Sequence, residues 1–450
     1  MSEATQQSAP HAAPPSAPMK RRSLIVAALS TVVEWYDFTL YLYFATVLAR
    51  TFFGTGAQSM IETLGGFAVA YLMRPVGALV FGHLGDRFGR RVSMLGSMAM
   101  MTAAMLATAL LPTYAQAGPL AGLLLIGLRC VMSFSVGGEY TGVVAYLVEG
   151  ASERRRGLVT SCASAASEIG ALLAAGAAAL TVWALPEAVL VSWGWRLPFL
   201  FGAALAGVVL VARAALEETP EFTRQQREGS VPEKPIRQTL TRHRPAILRG
   251  FAISALGSIT YYVGITYVPV FLDATGTMTE TRALSISTLA ALAVILVTPF
   301  TGLLSDRLGR RPVLVTLAFG GILLPVGLFG IMTSGGAATW AGVLVMAALG
   351  GAVSAVGAVT TAEQFPGEGR LSGLALGATT ATAIFGGLTP LVAHMLVTRT
   401  GWAGAPGAMI ACVALCVIAI FWLMPETAPA KARAIVGPPL PQDPPASPLS

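Results

Sequence analysis

The chain has 450 residues, of which 54% are hydrophobic and only 11% charged, with a formal net charge of +7. Soluble domains carry roughly 25% charged residues, so this composition excludes a water-soluble protein of such size; apolar runs of about 20 residues are instead the length that crosses a bilayer as a helix. The basic excess sits in short turns between the apolar runs, which points to a polytopic membrane protein in contact with lipid and away from a nucleic-acid partner.

In chain order, residues 1–19 are rich in Ser, Ala, Pro and Gln and are expected to be disordered. Lys20, Arg21 and Arg22 precede an apolar run that is too long for a signal peptide and carries Glu34 and Asp37, so it reads as a retained first helix. The N-terminal half has spans at 23–48, 61–81, 92–113, 119–148, 157–182 and 196–216, and the C-terminal half at 249–272, 283–303, 312–333, 338–361, 371–397 and 404–424. The expected architecture is an all-α polytopic membrane protein with twelve transmembrane helices in two pseudo-symmetric six-helix bundles, 20–218 and 249–427. A central polar loop, 219–248, joins them, and a Pro-rich flexible tail, 428–450, follows.

One charged stretch appears twice. Gly82-His83-Leu84-Gly85-Asp86-Arg87-Phe88-Gly89-Arg90-Arg91 returns 220 residues later as Gly302-Leu303-Leu304-Ser305-Asp306-Arg307-Leu308-Gly309-Arg310-Arg311. A repeat at half the chain length means that the protein is built twice, and its glycines read as turn formers. Duplicated halves favour a transporter that rocks about a midplane cavity, with a channel as the other class of pore. Lys20 to Arg22, both decapeptides, Arg154 to Arg156, the central loop, Arg370, Lys431 and Arg433 fall on one side, against Arg50, Arg196, Arg282 and Arg399 on the other. That bias puts both termini in the cytoplasm.

Cys130, Cys162, Cys412 and Cys416 all lie in apolar runs. Cys412 and Cys416 share a helix face, but with no His or carboxylate nearby they read as packing residues, and no metal site is expected. No nucleotide-binding loop or nucleophile–base pair is found, so neither an enzyme nor a bound cofactor is expected; the energy must come from an ion gradient.

Charged residues in a bilayer are costly and are kept where they pair or face water. Glu34, Asp37, Arg74, Arg129, Glu139 and Glu168 lie within the spans. Glu34 and Asp37 are three apart on one helix face, with Tyr41, a candidate substrate contact, a turn further on. Two such carboxyl groups do not readily ionise together, which suits a proton carrier; pairing with Arg74 or Arg129 is the structural alternative. Arg129 and Arg74 are candidate carboxylate contacts through two parallel hydrogen bonds. Arg129 could equally form a permanent bridge to Glu34, Asp37 or Glu139. Pro75 frees backbone groups next to Arg74. Glu139 is a coupling group or an arginine partner. Glu168, among Ser161, Ser164, Ala165, Ala166 and Ser167, is a coupling candidate or a tightly packed structural acid. Tyr261 and Tyr262 are cavity candidates, as hydroxyl donors or as ring faces for a cation. His394 reads as a histidine bonded to a neighbour.

Both decapeptides, in register within twelve spans, resemble the loop motif of the major facilitator superfamily. Glu34-Trp35-Tyr36-Asp37-Phe38, Leu72-Met73-Arg74-Pro75, Gly137-Gly138-Glu139-Tyr140, Trp193-Gly194-Trp195-Arg196-Leu197-Pro198-Phe199, Glu218-Thr219-Pro220, Glu363-Gln364-Phe365-Pro366 and Phe385-Gly386-Gly387-Leu388-Thr389-Pro390 are similar to its metabolite:proton symporter family, so that the likeness covers about residues 20–427. The resemblance implies proton-coupled import of a small organic acid across a bacterial inner membrane, working as a monomer with protons and a small molecule as its partners. A proline or betaine osmolyte importer is the alternative, and a non-transporting nutrient sensor a third. Osmosensing relatives often end in a coiled coil, and the tail here has no heptads, which tilts the reading toward organic acids. Two departures stand out: Cys130 to Ser133 follow Arg129 where the family continues Gln-Gly, and Ala378-Thr379 replace a frequent Tyr-Asn, which makes Thr379 a candidate cavity contact. The resemblance also implies that Gly82, Asp86, Arg87, Gly89, Arg90 and Arg91, with Gly302, Asp306, Arg307, Gly309, Arg310 and Arg311, form two gating latches in which the aspartate meets a neighbouring helix end or basic residue.

Overall fold

In lipid a backbone must close its own hydrogen bonds, so each apolar run becomes a helix. The structure, a computed structural model, describes residues 19–54, 57–278, 280–429 and 431. The expected segments 1–19 and 428–450 thus lie outside the described residues, apart from Met19, Ala428, Pro429 and Lys431. Among the described residues twelve membrane-length helices follow one another, counting the bent α9 as one: α1 Arg21–Tyr43, α2 Ala68–Phe88, α3 Arg90–Ala109, α4 Pro119–Gly150, α5 Arg156–Ala184, α6 Arg196–Ala214, α7 Arg244–Thr266, α8 Ile286–Leu308, α9 Arg310–Leu323 continued by Pro325–Met332, α10 Gly336–Glu363, α11 Gly367–Thr400 and α12 Ala405–Leu423. The 47° bend in α9 falls just before Pro325, whose ring removes a backbone donor.

The central segment is not the plain polar loop that its composition suggests. It folds as two short helices, Pro220–Glu228 and Pro235–Arg242, before α7 begins. Thr219 Oγ1 accepts from the Phe222 N–H, proline opens each helix, and Gly229 closes the first with φ +65°. Local capping outweighs polarity.

In the first bundle α1 lies on α5, and α4 on α2 and α3; in the second α7 and α8 pack on α10, and α9 on α12. Each has its own apolar core, built around Tyr36, Phe52, Trp195 and Phe199 in one and Phe271, Phe329, Met346 and Ile410 in the other. The bundles meet where α5 crosses α8 and where α2 crosses α11. A small apolar cluster, with Val144 and Val148 against Val359, Leu371 and Leu374, seals the seam at the end of the molecule that carries both decapeptides, the motif end.

The decapeptide glycines divide into two kinds. Gly89 and Gly309, at φ +111° and +110°, make the turns. Gly82 and Gly302 instead sit inside helices at the bundle crossings, which corrects the reading of every motif glycine as a turn former. A Cβ on Gly302 would lie 2.4 Å from Ser161 Oγ and 2.5 Å from the Gly157 carbonyl oxygen. Gly302→Val therefore forces the motif end apart. Overpacking costs about 1–3 kcal/mol, and the expected result is about tenfold faster maleimide labelling of Ser164→Cys from that end. An unchanged labelling rate would show that the crossing does not depend on Gly302.

Candidate functional site

Between the bundles lies a cavity of about 160 Å³, close to the roughly 150 Å³ that holds a benzene molecule in an engineered core. Arg74 reaches it because α2 and α4 touch backbone to backbone. A Cβ on Gly137 would stand 2.0 Å from the Arg74 carbonyl oxygen, and one on Gly77 1.8 Å from that of Phe134. The Arg74 guanidinium lies over the rings of Tyr71 and Phe38, at 4.6 and 4.9 Å. Its Nε has no hydrogen-bond partner, and none of the ion pairs among the described residues includes it.

Glu34 and Glu168 line the same cavity, as do Trp35, Tyr71, Tyr261, Tyr262 and Thr379. Glu34 keeps one buried oxygen, Oε2, without a partner. Glu168 is not packed among small residues alone: its Oε1 accepts from the Tyr261 hydroxyl of the other bundle at 2.7 Å. The Tyr262 and Tyr71 hydroxyls are hydrogen-bonded at 2.8 Å, again across the bundles. His394 faces Tyr267, away from the cavity wall.

Four expected site residues lie elsewhere. Arg129 is not a cavity arginine: it donates to Asp37 Oδ2 at 2.6 Å and Oδ1 at 3.2 Å, and to Thr108 Oγ1 at 3.3 Å, within the first bundle. Tyr41 lies beside that pair, with its ring 5.4 Å from the guanidinium and its hydroxyl donating to the Thr63 carbonyl. Glu34 and Asp37 therefore do not act as neighbours. Three residues along a helix still differ by about 60° in direction, enough to turn one to the cavity and the other to α4. Glu139 pairs with Arg213 and not with Arg129, and also accepts from Ser97 Oγ at 2.8 Å. Arg213 was passed over in the sequence although it falls inside the expected span 196–216. Its charge was the signal.

The motif end carries two related clusters. Asp86 accepts from the N–H groups of Leu371 and Ser372 at the start of α11, at 3.2 and 2.8 Å. Asp306 accepts from those of Gly157 and Leu158 at the start of α5, at 2.8 and 2.9 Å. Each carboxylate thus meets a helix N-terminus of the opposite bundle. Arg90 binds Glu149 at 3.0 Å and Arg310 binds Glu363 at 3.1 Å. Glu218 covers the first N–H groups of α3 and Glu426 those of α9. Burial pushes the Glu218 carboxyl up, against the pull of those N–H groups and of Arg90. Among the described residues the first cluster carries two cross-bundle links that the second lacks: Arg370 of the second bundle reaches Glu149 of the first at 2.7 Å, and Arg90 donates to the Gly367 carbonyl. Arg87 donates to the Glu233 carbonyl and Arg91 to that of Ala214, while Arg307 is exposed. Among the described residues no three His, Cys, Asp or Glu side chains are grouped to hold a metal ion.

Two helical bundles around a mixed-charge cavity, clasped together at one end, define a secondary active transporter. Residues 23–238 match the family described as "Sugar (and other) transporter" and residues 276–446 match "Major Facilitator Superfamily". The chain belongs to the major facilitator superfamily, in its metabolite:proton symporter family. It is 33% identical to the proline/betaine transporter of Salmonella typhimurium, over 84% of this chain and 78% of that one. It is 34% identical to the alpha-ketoglutarate permease of Escherichia coli, over 83% and 87%. With the citrate-proton symporter of Klebsiella pneumoniae it shares 30% identity, over 85% and 87%. A solved structure of the proton:xylose symporter XylE has the same fold, with a TM-score of 0.75 over 90% of this chain and 96% of that one, at 18% identity. The protein is a multi-pass membrane transporter and not an enzyme.

Proposed function

We propose that this chain imports a small solute together with protons, and that the carboxylate of the solute seats on Arg74. The observation that carries this is the division of labour among the buried arginines. Arg129 and Arg213 are each held by an acid of their own bundle, while Arg74 faces the cavity with no carboxylate paired to it. A guanidinium stacked on two rings presents its fork edge-on for a bidentate partner. The cavity sets one guanidinium against two carboxyl groups, with Trp35, Tyr261 and Tyr262 beside them. That balance suits a zwitterion of the proline or betaine kind, its cationic end against rings and acids, better than a polyanion such as citrate. An organic acid is the second reading, supported by the likeness to the alpha-ketoglutarate permease; it requires both acids to be neutral when the solute is bound.

Glu34 is the proton carrier in this reading. A buried carboxyl oxygen without a partner favours the neutral acid, and approach of a cationic group or opening to water favours its loss of the proton. Asp37 and Glu139 hold helices together through their arginines. The basic motif end and both termini face the cytoplasm. One chain encloses the cavity and works as a monomer, with no cofactor and the proton gradient as its energy source.

Uptake of labelled proline, glycine betaine, 2-oxoglutarate and citrate into proteoliposomes, with and without an imposed proton gradient, tests both parts. Gradient-driven accumulation of a zwitterion is expected. Accumulation that ignores the gradient removes the symport reading, and accumulation of citrate alone removes the zwitterion.

A further inference from the structure

Apart from the motif end, two hydrogen bonds among the described residues tie the bundles together at the cavity, and both come from adjacent residues of α7. Tyr261 donates to Glu168 of α5 at 2.7 Å, and Tyr262 shares a hydrogen bond with Tyr71 of α2 at 2.8 Å. Successive helical residues point about 100° apart, so one turn of α7 grips two helices of the first bundle. At the second of them the helix widens into a π turn, Tyr262–Thr266, in which the Tyr267 N–H donates to the Tyr262 carbonyl. Such single π turns mark places where a helix yields.

We propose that Tyr261 is the positioning residue through which the proton on Glu168 controls opening of the end opposite the motifs. An ionised Glu168 receives a charge-assisted hydrogen bond from Tyr261 and holds α7 against α5. Protonation puts the hydrogen on a carboxyl oxygen, leaves a neutral bond about half as strong, and lets α7 swing at its π turn. The groups facing Glu168 are Tyr261 on α7 and Tyr43 at the end of α1, with Glu34 and Arg74 also on the cavity wall. Among the described residues no arginine or lysine is paired with it. With no fixed cation to hold its charge, the tyrosine contact is the one that senses the ionisation. The Tyr262–Tyr71 bond joins two hydroxyls and no carboxyl group, so it adds to closure without depending on the proton of Glu168.

The inference rests on proton coupling but not on the identity of the solute, and its test needs no solute. Spin labels go at Ala115→Cys and Ser334→Cys, exposed in the α3–α4 and α9–α10 loops, in a chain freed of its four native cysteines. Double electron–electron resonance in nanodiscs then follows their separation from mildly acidic to mildly alkaline pH. The wild type is expected to move from longer to shorter distances as pH rises, with about a fivefold change in the open-to-closed ratio. Glu168→Gln and Tyr261→Phe should both stay near the acid distribution throughout. Tyr262→Phe should lengthen the mean distance and keep the pH response. A wild-type pH response in Tyr261→Phe, or in Glu168→Gln, overturns the proposal. If the response is as expected while no solute in the uptake panel accumulates, the reading of the solute fails and this one stands.

Discussion

Arg74→Gln is expected to lower uptake about 100-fold or more and to leave the protein's thermal midpoint nearly unchanged. Losing one side of a desolvated carboxylate pair costs about 2–5 kcal/mol, or roughly 30- to several thousand-fold in affinity. The effect should appear chiefly in KM, because Arg74 grips the solute before and during transport. Stability should hold because none of the ion pairs among the described residues includes Arg74, so no direct salt bridge is broken. Arg74→Lys should fall between the two, since an ammonium keeps the charge and loses the planar fork. Uptake at wild-type KM by Arg74→Gln would remove this residue from the solute site.

The fold was legible because lipid permits few alternatives. Runs of about 20 apolar residues can only be helices, and the repeated decapeptide sets the two halves in register at a spacing of 220 residues. The direction of each buried charge was not legible. Arg74 and Arg129 look equivalent along the chain: both are single arginines in apolar helices. What separates them is helix rotation, fixed by contacts distant in sequence. Gly77 against Phe134 and Gly137 against Arg74 bring α2 and α4 together, turning Arg74 inward while Arg129 meets Asp37. The partner of Glu168 was not legible for a similar reason, because Tyr261 lies 93 residues away in the other bundle.

The two clusters at the motif end give the repeat its physical meaning. Asp86 and Asp306 each accept from a helix start in the opposite bundle, and an acid at a helix N-terminus gains about 0.3–1 kcal/mol, and up to about 2 when partly buried. Topology alone would need only the arginines; the aspartates add cross-bundle contacts that must break for the motif end to open. Arg370 and Glu149 strengthen one clasp alone. The clasps are related by sequence but not equal in the bonds that they carry.

Arg129→Gln is expected to cost stability first. The guanidinium and the Asp37 carboxylate are 4% and 3% exposed, so the substitution leaves a buried carboxylate facing a neutral amide. Breaking one side of such a pair costs about 3–5 kcal/mol, to be read as a lowered thermal midpoint in fluorescence-detected size exclusion. Asp37→Asn should do similar harm by leaving the cation alone. The double variant, Asp37→Asn with Arg129→Gln, should recover much of the loss, because two amides can hydrogen-bond without a net buried charge. A solute-binding arginine would behave otherwise: its loss would spare the midpoint, abolish uptake, and gain nothing from a change at Asp37. Recovery in the double variant is therefore the decisive reading, since it separates a bridge between α1 and α4 from a contact with the cargo. An unchanged midpoint in Arg129→Gln, with uptake gone, would return Arg129 to the site and leave Arg74 as its second contact.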